Sequence, residues 1–180
     1  NGNAGAAVGY LTEAARLCEE AGFRLFLPPT LAALARAQAA AGAPGEARQT
    51  LERARTCTAG IPLAETLVAL EESRQHEADD RVAEAVASYR TALDVAERNG
   101  LVALSPVALT ALGRLAARQG NLEEATLRYR GAIQAVERLR AGIASVELRS
   151  VFVEATHDAF AGLLDALVAM GRDADAFLVV

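Results

Sequence analysis

The sequence has no lysine; all 18 of its basic residues are arginine, as in proteins from GC-rich bacterial genomes. It also has few aromatic residues, only 4% of the chain, and two cysteines. No uninterrupted apolar run reaches the roughly 18 residues of a membrane span, so no membrane partner is expected. No basic segment followed by an apolar one opens the chain. No signal peptide is therefore visible, and the reading places the protein in the cytoplasm. The net charge of −5 argues against a nucleic-acid partner, which would favour a basic stripe. Cys18 and Cys57 lie far apart in sequence and match no metal-ligand spacing, so both read as small buried apolar residues.

What the chain has in abundance is alanine, the strongest helix former and a side chain small enough for helices to approach closely. The stretch from Leu109 to Ala132 organises the rest. It runs Leu109-x2-Leu112-Gly113-x2-Ala116, then Gly120-Asn121, then Ala125-x3-Tyr129-x2-Ala132. Two antiparallel helices pack closely only where one offers a small residue to the other. Gly113 and Ala125 fit those contact points, with Tyr129 and Leu109 filling the space beside them. This pattern resembles a tetratricopeptide repeat (TPR). The resemblance implies an all-α, TPR-like α-solenoid: a right-handed superhelix of antiparallel helix pairs, forming one array over residues 1–180.

The remaining units fall into the same phase, at approximately 6–22, 28–60, 62–100, 105–145 and 146–180. The matching alanines are Ala7, Ala47, Ala85 and Ala125, spaced 40, 38 and 40 residues apart, with the next at Ala176. Residues 1–5 read as frayed, and Gly22 as a helix end. The apolar loop Phe23 to Leu27 is expected to lie against a neighbouring pair. Pro28 and Pro29 open a helix. Ser105 is expected to cap the next-to-last first helix, with Pro106 at its first position. Asn121 with Glu124 reads as a capping box. The third unit's first helix is the least typical, because Glu71, Glu72 and His76 stand where apolar residues are expected. After Asn121 a long second helix should end near Gly142 or Ser145. A long first helix, with apolar Phe152, Phe160, Leu163, Leu164 and Leu167, then runs from Val146 to Met170. The pattern opens on a second helix and closes part-way through another at Phe177-Leu178-Val179-Val180. It reads as a piece of a longer polypeptide, able to self-associate through that truncated repeat.

The last third carries a second resemblance. Ala132-Ile133-Gln134-Ala135-Val136-Glu137-Arg138-Leu139-Arg140, then Val146-Glu147-Leu148-Arg149-Ser150-x-Phe152 and Asp158 to Phe177, is similar to the linker repeat preceding CHAT domains. These are caspase-like peptidase domains that often follow such arrays in bacterial proteins. The resemblance implies a scaffolding or sensing region whose catalytic His and Cys lie elsewhere, since neither His157 nor any cysteine here matches that pair.

No set of residues reads as catalytic, metal-binding or cofactor-binding. Gly42-x2-Gly45 lacks the Lys-Ser/Thr of a phosphate loop. The acids Glu71, Glu72, Glu77, Asp79 and Asp80 read as a solvated face, and His76 and His157 as single imidazoles. The pattern that suggests binding comes from phase: the residues following Ala35, Ser73 and Gly113 are Arg36, Arg74 and Arg114, and this position tends to face the concave side of such an array. Two accounts stay open. The arginines either pair with nearby carboxylates, Glu71 and Glu77 among them, or they bind an acidic protein or peptide segment. On this reading the chain is a protein-interaction and scaffolding module. The alternative is a ligand-sensing region controlling an attached peptidase, ATPase or DNA-binding domain.

Overall fold

The structure, a computed structural model, describes residues 2–141 and 146–177. Among the described residues it is all helical. In chain order the helices are α1 (Gly2–Glu20), α2 (Leu27–Ala40), α3 (Pro44–Thr56), α4 (Pro62–Ala78), α5 (Val82–Arg98), α6 (Ser105–Arg118), α7 (Leu122–Ala141), α8 (Val146–Ala169) and α9 (Asp173–Phe177). The side chain of Phe152, the end of α7 near Gly142 or Ser145, and the stub at 178–180 lie outside the described residues. Contacts divide the chain into two compact units, Asn1–Val95 and Ala96–Val180.

The ends of α1, α2, α4, α5, α6 and α8 follow one rule. At Gly42 and Gly120 the chain turns through a left-handed residue, which glycine adopts without a Cβ clash. The next residue's N–H then bonds back to the helix: Ala43 to the Gln38 carbonyl and Asn121 to the Ala116 carbonyl, each at 2.9 Å. Asp80 occupies the same place after α4 with φ 56°, and the Arg81 N–H closes the same bond to the His76 carbonyl at 2.8 Å. Aspartate is one of the few non-glycine residues that tolerate this conformation.

In the first unit α2 packs on α1, α3 and α4. Its core gathers Leu31, Leu34 and Ala35 of α2 with Ala47, Leu51 and Ala54 of α3, and Ala15 and Val68 from the flanking helices. In the second unit α6, α7 and α8 pack mutually and α9 lies on α8. That core holds Ala125, Tyr129 and Ala132 of α7 with Ala159, Leu163, Ala166 and Leu167 of α8 and Ala176 of α9. The repeat alanines Ala47, Ala85, Ala125 and Ala176 are all buried. Leu164 packs on the second core from a half-buried position, while Phe177 is exposed.

Several local expectations need correction. The first helix begins at Gly2, so the Asn/Gly-rich start is not frayed beyond the described limit. The apolar loop does not lie against a neighbour: Phe23, Leu25 and Phe26 are each more than half exposed. The loop is a tight turn held by its own backbone, with Phe23 N–H to the Cys18 carbonyl at 2.8 Å and Phe26 N–H to the Phe23 carbonyl at 3.1 Å. Only Leu27 reaches the core, while the Phe23 and Phe26 rings meet edge to face. Ser105 is not a cap. Leu104 holds that position without a side-chain bond, and Ser105 is the first helical residue, with Pro106 second. The capping box at α7 is half formed: Asn121 Oδ1 accepts from the Glu124 N–H at 3.2 Å, but the Glu124 carboxylate turns to Arg128 at 2.6 Å. Neither cysteine is buried. Cys57 is exposed at the end of α3, past the last core-facing turn, and Cys18 is intermediate; both are free thiols.

The second unit's packing depends on two glycines that face one ring. A Cβ on Gly113 of α6 would lie 2.9 Å from Tyr129 Cδ1, and one on Gly162 of α8 would lie 2.3 Å from Tyr129 Cζ. A Cβ on Gly131 would meet only Leu109 methyls, at 3.6 and 3.7 Å. Because the ring is held from both sides, it cannot swing away. Gly113→Leu and Gly162→Ala are therefore expected to lower the unfolding free energy by about 1–3 kcal/mol. Gly131→Ala is expected to raise it by about 0.5–1 kcal/mol through helix propensity. Urea denaturation of the three variants checks both signs; a neutral Gly162→Ala would show that α8 does not clamp the ring.

Candidate functional site

The three arginines singled out by phase sit where a small residue has just been buried. Ala35 and Ser73 are fully buried and Gly113 is buried, and the next residue on each helix points away from the core. In the first unit, Arg36 of α2 is exposed and has no ion-pair partner among the described residues. Arg74 of α4 donates from Nη1 to Glu71 Oε2 at 2.7 Å, and its side chain remains 38% exposed. Glu71 is buried despite its charge. The pair answers a need of the fold, since a buried carboxylate without a cation is costly. In the second unit, Arg114 of α6 is exposed, and its charge lies close enough to the Tyr129 hydroxyl to favour that phenol's ionised form. Burial outweighs it and pushes the Tyr129 pKa up, with Asp165 and Asp158 adding to the rise. Each of the three arginines thus follows a buried small residue on its helix. Their surroundings differ: one is unpaired, one is tied to a buried acid, and one stands near a tyrosine and two aspartates.

The atypical face of α4 is a network of polar groups. Burial pushes the Glu72 carboxyl above its ordinary value of 4.5, Arg55 opposes this, and Glu52 adds to it. The Tyr89 hydroxyl donates to Glu77 Oε2 at 3.2 Å, which places Glu77 with a tyrosine. Asp79 accepts from Arg48 at 3.1 Å and from Arg81 at 3.2 Å. These acids serve contacts between helices, which is why the run is not simply a solvated face. Among the described residues no group of histidine, cysteine, aspartate and glutamate could hold a metal ion. No described helix is long and apolar enough to cross a membrane.

His76 belongs to the same face. Its Nδ1 is buried without a hydrogen-bond partner among the described residues. Burial pulls its pKa below the ordinary 6.5, Arg81 adds to this, and Glu84 and Asp79 oppose it. The folded state therefore holds the proton less tightly than the unfolded chain. Stability attributable to His76 is present above the ordinary histidine pKa and is lost as pH falls below it. Glu72 works in the opposite sense and in a lower window, because its raised pKa lets the folded state keep a proton that the unfolded chain releases. His76→Gln is expected to flatten the fall of the denaturation midpoint between about pH 7 and pH 5. An unchanged slope would mean that His76 is not responsible for it.

Sequence reasoning missed Gly162 as a packing residue. It also missed a crevice in the second unit that includes Glu97, Ser105 and Arg138. A signal for the crevice was present, because the loop from Gly100 to Leu109 repeats the one from Gly22 to Leu31.

No family model and no curated protein matches this sequence. Among solved structures, the chain is similar to a point variant of a Podospora anserina protein named as a kinesin light chain with nearly identical TPR-like repeats. The TM-score is 0.63 at 20% identity, covering 99% of this chain and 84% of that one. It is also similar to BtubC (BKLC) from P. vanneervenii, with a TM-score of 0.61 at 16% identity, covering 99% of this chain and 86% of that one. These likenesses establish a TPR-like repeat fold.

Proposed function

We propose that the chain is a protein-interaction module that takes an acidic peptide segment against its first helices. The observation that carries this reading is the register of Arg36 and Arg74. They follow fully buried small residues on α2 and α4, which pack against each other within the first unit. Helix packing consumes the small residue and leaves the guanidinium beyond it at the surface. Arg36 has no carboxylate of its own among the described residues, and Arg74 engages Glu71 through Nη1. Guanidinium groups grip carboxylates through paired, parallel N–H donors, which suits them to acidic segments even on a chain of net charge −5. Arg114 occupies the corresponding position in the second unit. The TPR-like fold supports the class of partner, since repeat arrays present extended surfaces to other proteins. The resemblance of the last third to the repeat preceding CHAT domains supports a scaffolding role beside a peptidase in a bacterial protein.

The test is binding of an acidic peptide library to the chain and to Arg36→Ala, Arg74→Ala, Arg114→Ala and triple variants. We expect the triple variant to lose about tenfold or more in affinity. We also expect binding by the native chain to weaken with added salt, since exposed charges are screened over about 8 Å at physiological ionic strength. Arg74→Ala should in addition destabilise the fold, because it strands the buried Glu71. Unchanged peptide binding by the triple variant would reduce the arginines to pairing and packing roles.

A further inference from the structure

The second unit contains a crevice of about 470 Å³ lined by Glu97, Val102, Ser105, Leu109, Ala135, Arg138 and Leu139. Its volume falls in the range of small-molecule sites. The first unit contains a crevice at the same place in the repeat, about 330 Å³, whose lining includes Arg24, Leu27, Cys57 and Ile61. Those four positions recur, at a constant offset of 78 residues, as Val102, Ser105, Ala135 and Leu139. The fold thus makes this notch twice, where the start of a first helix meets the end of a second. Comparing the copies separates what the fold requires from what is particular to one of them.

The chemistry differs at each polar position. Glu97 corresponds to Glu19 by the same offset, and Glu19 is neutralised by Arg53 at 2.7 Å, whereas Glu97 has no ion-pair partner among the described residues. Ser105 replaces Leu27. The serine is only 6% exposed, lines the crevice, and its hydroxyl has no hydrogen-bond partner among the described residues. It also opens α6, whose N-terminus has no side-chain cap. The first-turn amides and the positive end of the helix dipole therefore lie beside it. Arg138 corresponds by the same offset to Gly60, which lies beyond the end of α3 at Thr56 and carries no side chain, whereas α7 runs on to Ala141. It too has no ion-pair partner among the described residues. Glu97 and Arg138 line one crevice without pairing with each other, and Val102, Leu109, Ala135 and Leu139 form the apolar part of its wall.

We infer that this crevice is a binding site for a zwitterion with an apolar side chain, namely a free aliphatic amino acid or a short aliphatic peptide. Arg138, the Ser105 hydroxyl and the α6 amides receive the carboxylate. Glu97 receives the ammonium group, and the side chain covers Leu109 and Leu139. Each group is one that a neighbour would otherwise satisfy, as Arg53 satisfies Glu19 in the other copy. These residues are separate from the arginines of the acidic-peptide reading, and the two succeed or fail independently.

The test is NMR titration of the intact chain, with labelled leucine methyls, using L-leucine, leucyl-leucine, N-acetyl-leucine and leucinamide as probes. Saturable shifts of the Leu109 and Leu139 methyls are expected with L-leucine or leucyl-leucine, and the larger response identifies the ligand length. Capping either charge should weaken binding by about tenfold. Glu97→Gln and Arg138→Ala should each do the same. Both residues are exposed, so the variants should keep the native circular dichroism and melting temperature. Ser105→Leu, which installs the first unit's residue, should abolish the response. The inference is overturned if no probe gives saturable shifts at these methyls. It is equally overturned if the capped probes bind as well as leucine, or if binding survives in the double variant Glu97→Gln/Arg138→Ala.

Discussion

A tyrosine ring held between two glycines fixes the geometry of the second unit. Tyr129 projects from α7 into a space that α6 and α8 leave open only because Gly113 and Gly162 have no side chains. The ring is rigid and nearly fully buried, so any atom added on either side must displace a helix rather than a flexible chain end. The arrangement sets the spacing of three helices with one side chain, and the alanines above and below then meet at close range. Ala125 and Ala132, one turn to either side of Tyr129, are fully buried because the backbones are already near enough for a methyl group to fill the gap. The first unit reaches the same result differently. Leu51, between Ala47 and Ala54 on α3, shares a buried core with Ala35 of α2, so a branched aliphatic and an alanine stand at the positions that Tyr129 and Gly113 hold in the second unit.

How far the sequence discloses this depends on whether a feature recurs. Gly113, Ala125 and Tyr129 belong to a pattern present in several units, and each is placed as the pattern implies. Gly162 belongs to the contact between successive pairs, two positions before the residue that aligns with Gly113, and no repeat motif marks it. The loop from Phe23 to Leu27 misleads for another reason. Its apolar composition suggests burial, but a glycine turn on one side and two prolines on the other fix its path before hydrophobic contact can choose it. Cys57 and Ser105 show the same limit at helix ends, where composition says little about which side of the last turn a residue occupies.

The polar face of α4 shows what a repeat does with charge at a core-facing position. Glu71 is buried beside fully buried Ser73, whose hydroxyl is satisfied by the Ala69 carbonyl at 2.6 Å. The Glu71 carboxylate can only accept, so it cannot be satisfied by a backbone carbonyl in that way and takes Arg74 as its donor instead. An arginine recruited by a buried acid remains half at the surface, because its long stem packs while the head reaches water. The same side chain can then belong to the fold and to a binding surface, and the two accounts of Arg74 need not compete. Arg36 differs in this respect, since its neighbours on α2 are alanines and no acid in the core calls for it.

That separation of roles explains why sites can diverge along the chain while the repeat persists. Stability resides in the small and large residues at helical spacing, and these vary little from unit to unit: Ala47, Leu51 and Ala54, then Ala85, Tyr89 and Ala92, then Ala125, Tyr129 and Ala132. The residues at the helix ends are free of that constraint, so a notch made by the fold can be lined differently each time it occurs. Where Glu19 meets Arg53, the polar groups close on each other. At Glu97 the position corresponding to Arg53 is Gly131, which lies against Leu109. One change of residue on the second helix thus removes the neutralising cation. The longer α7 then brings a different arginine to the other side of the crevice. An acid and a base separated by an apolar wall have no reason to arise from packing alone, and it is this departure from the repeat, rather than the repeat itself, that distinguishes the second unit chemically.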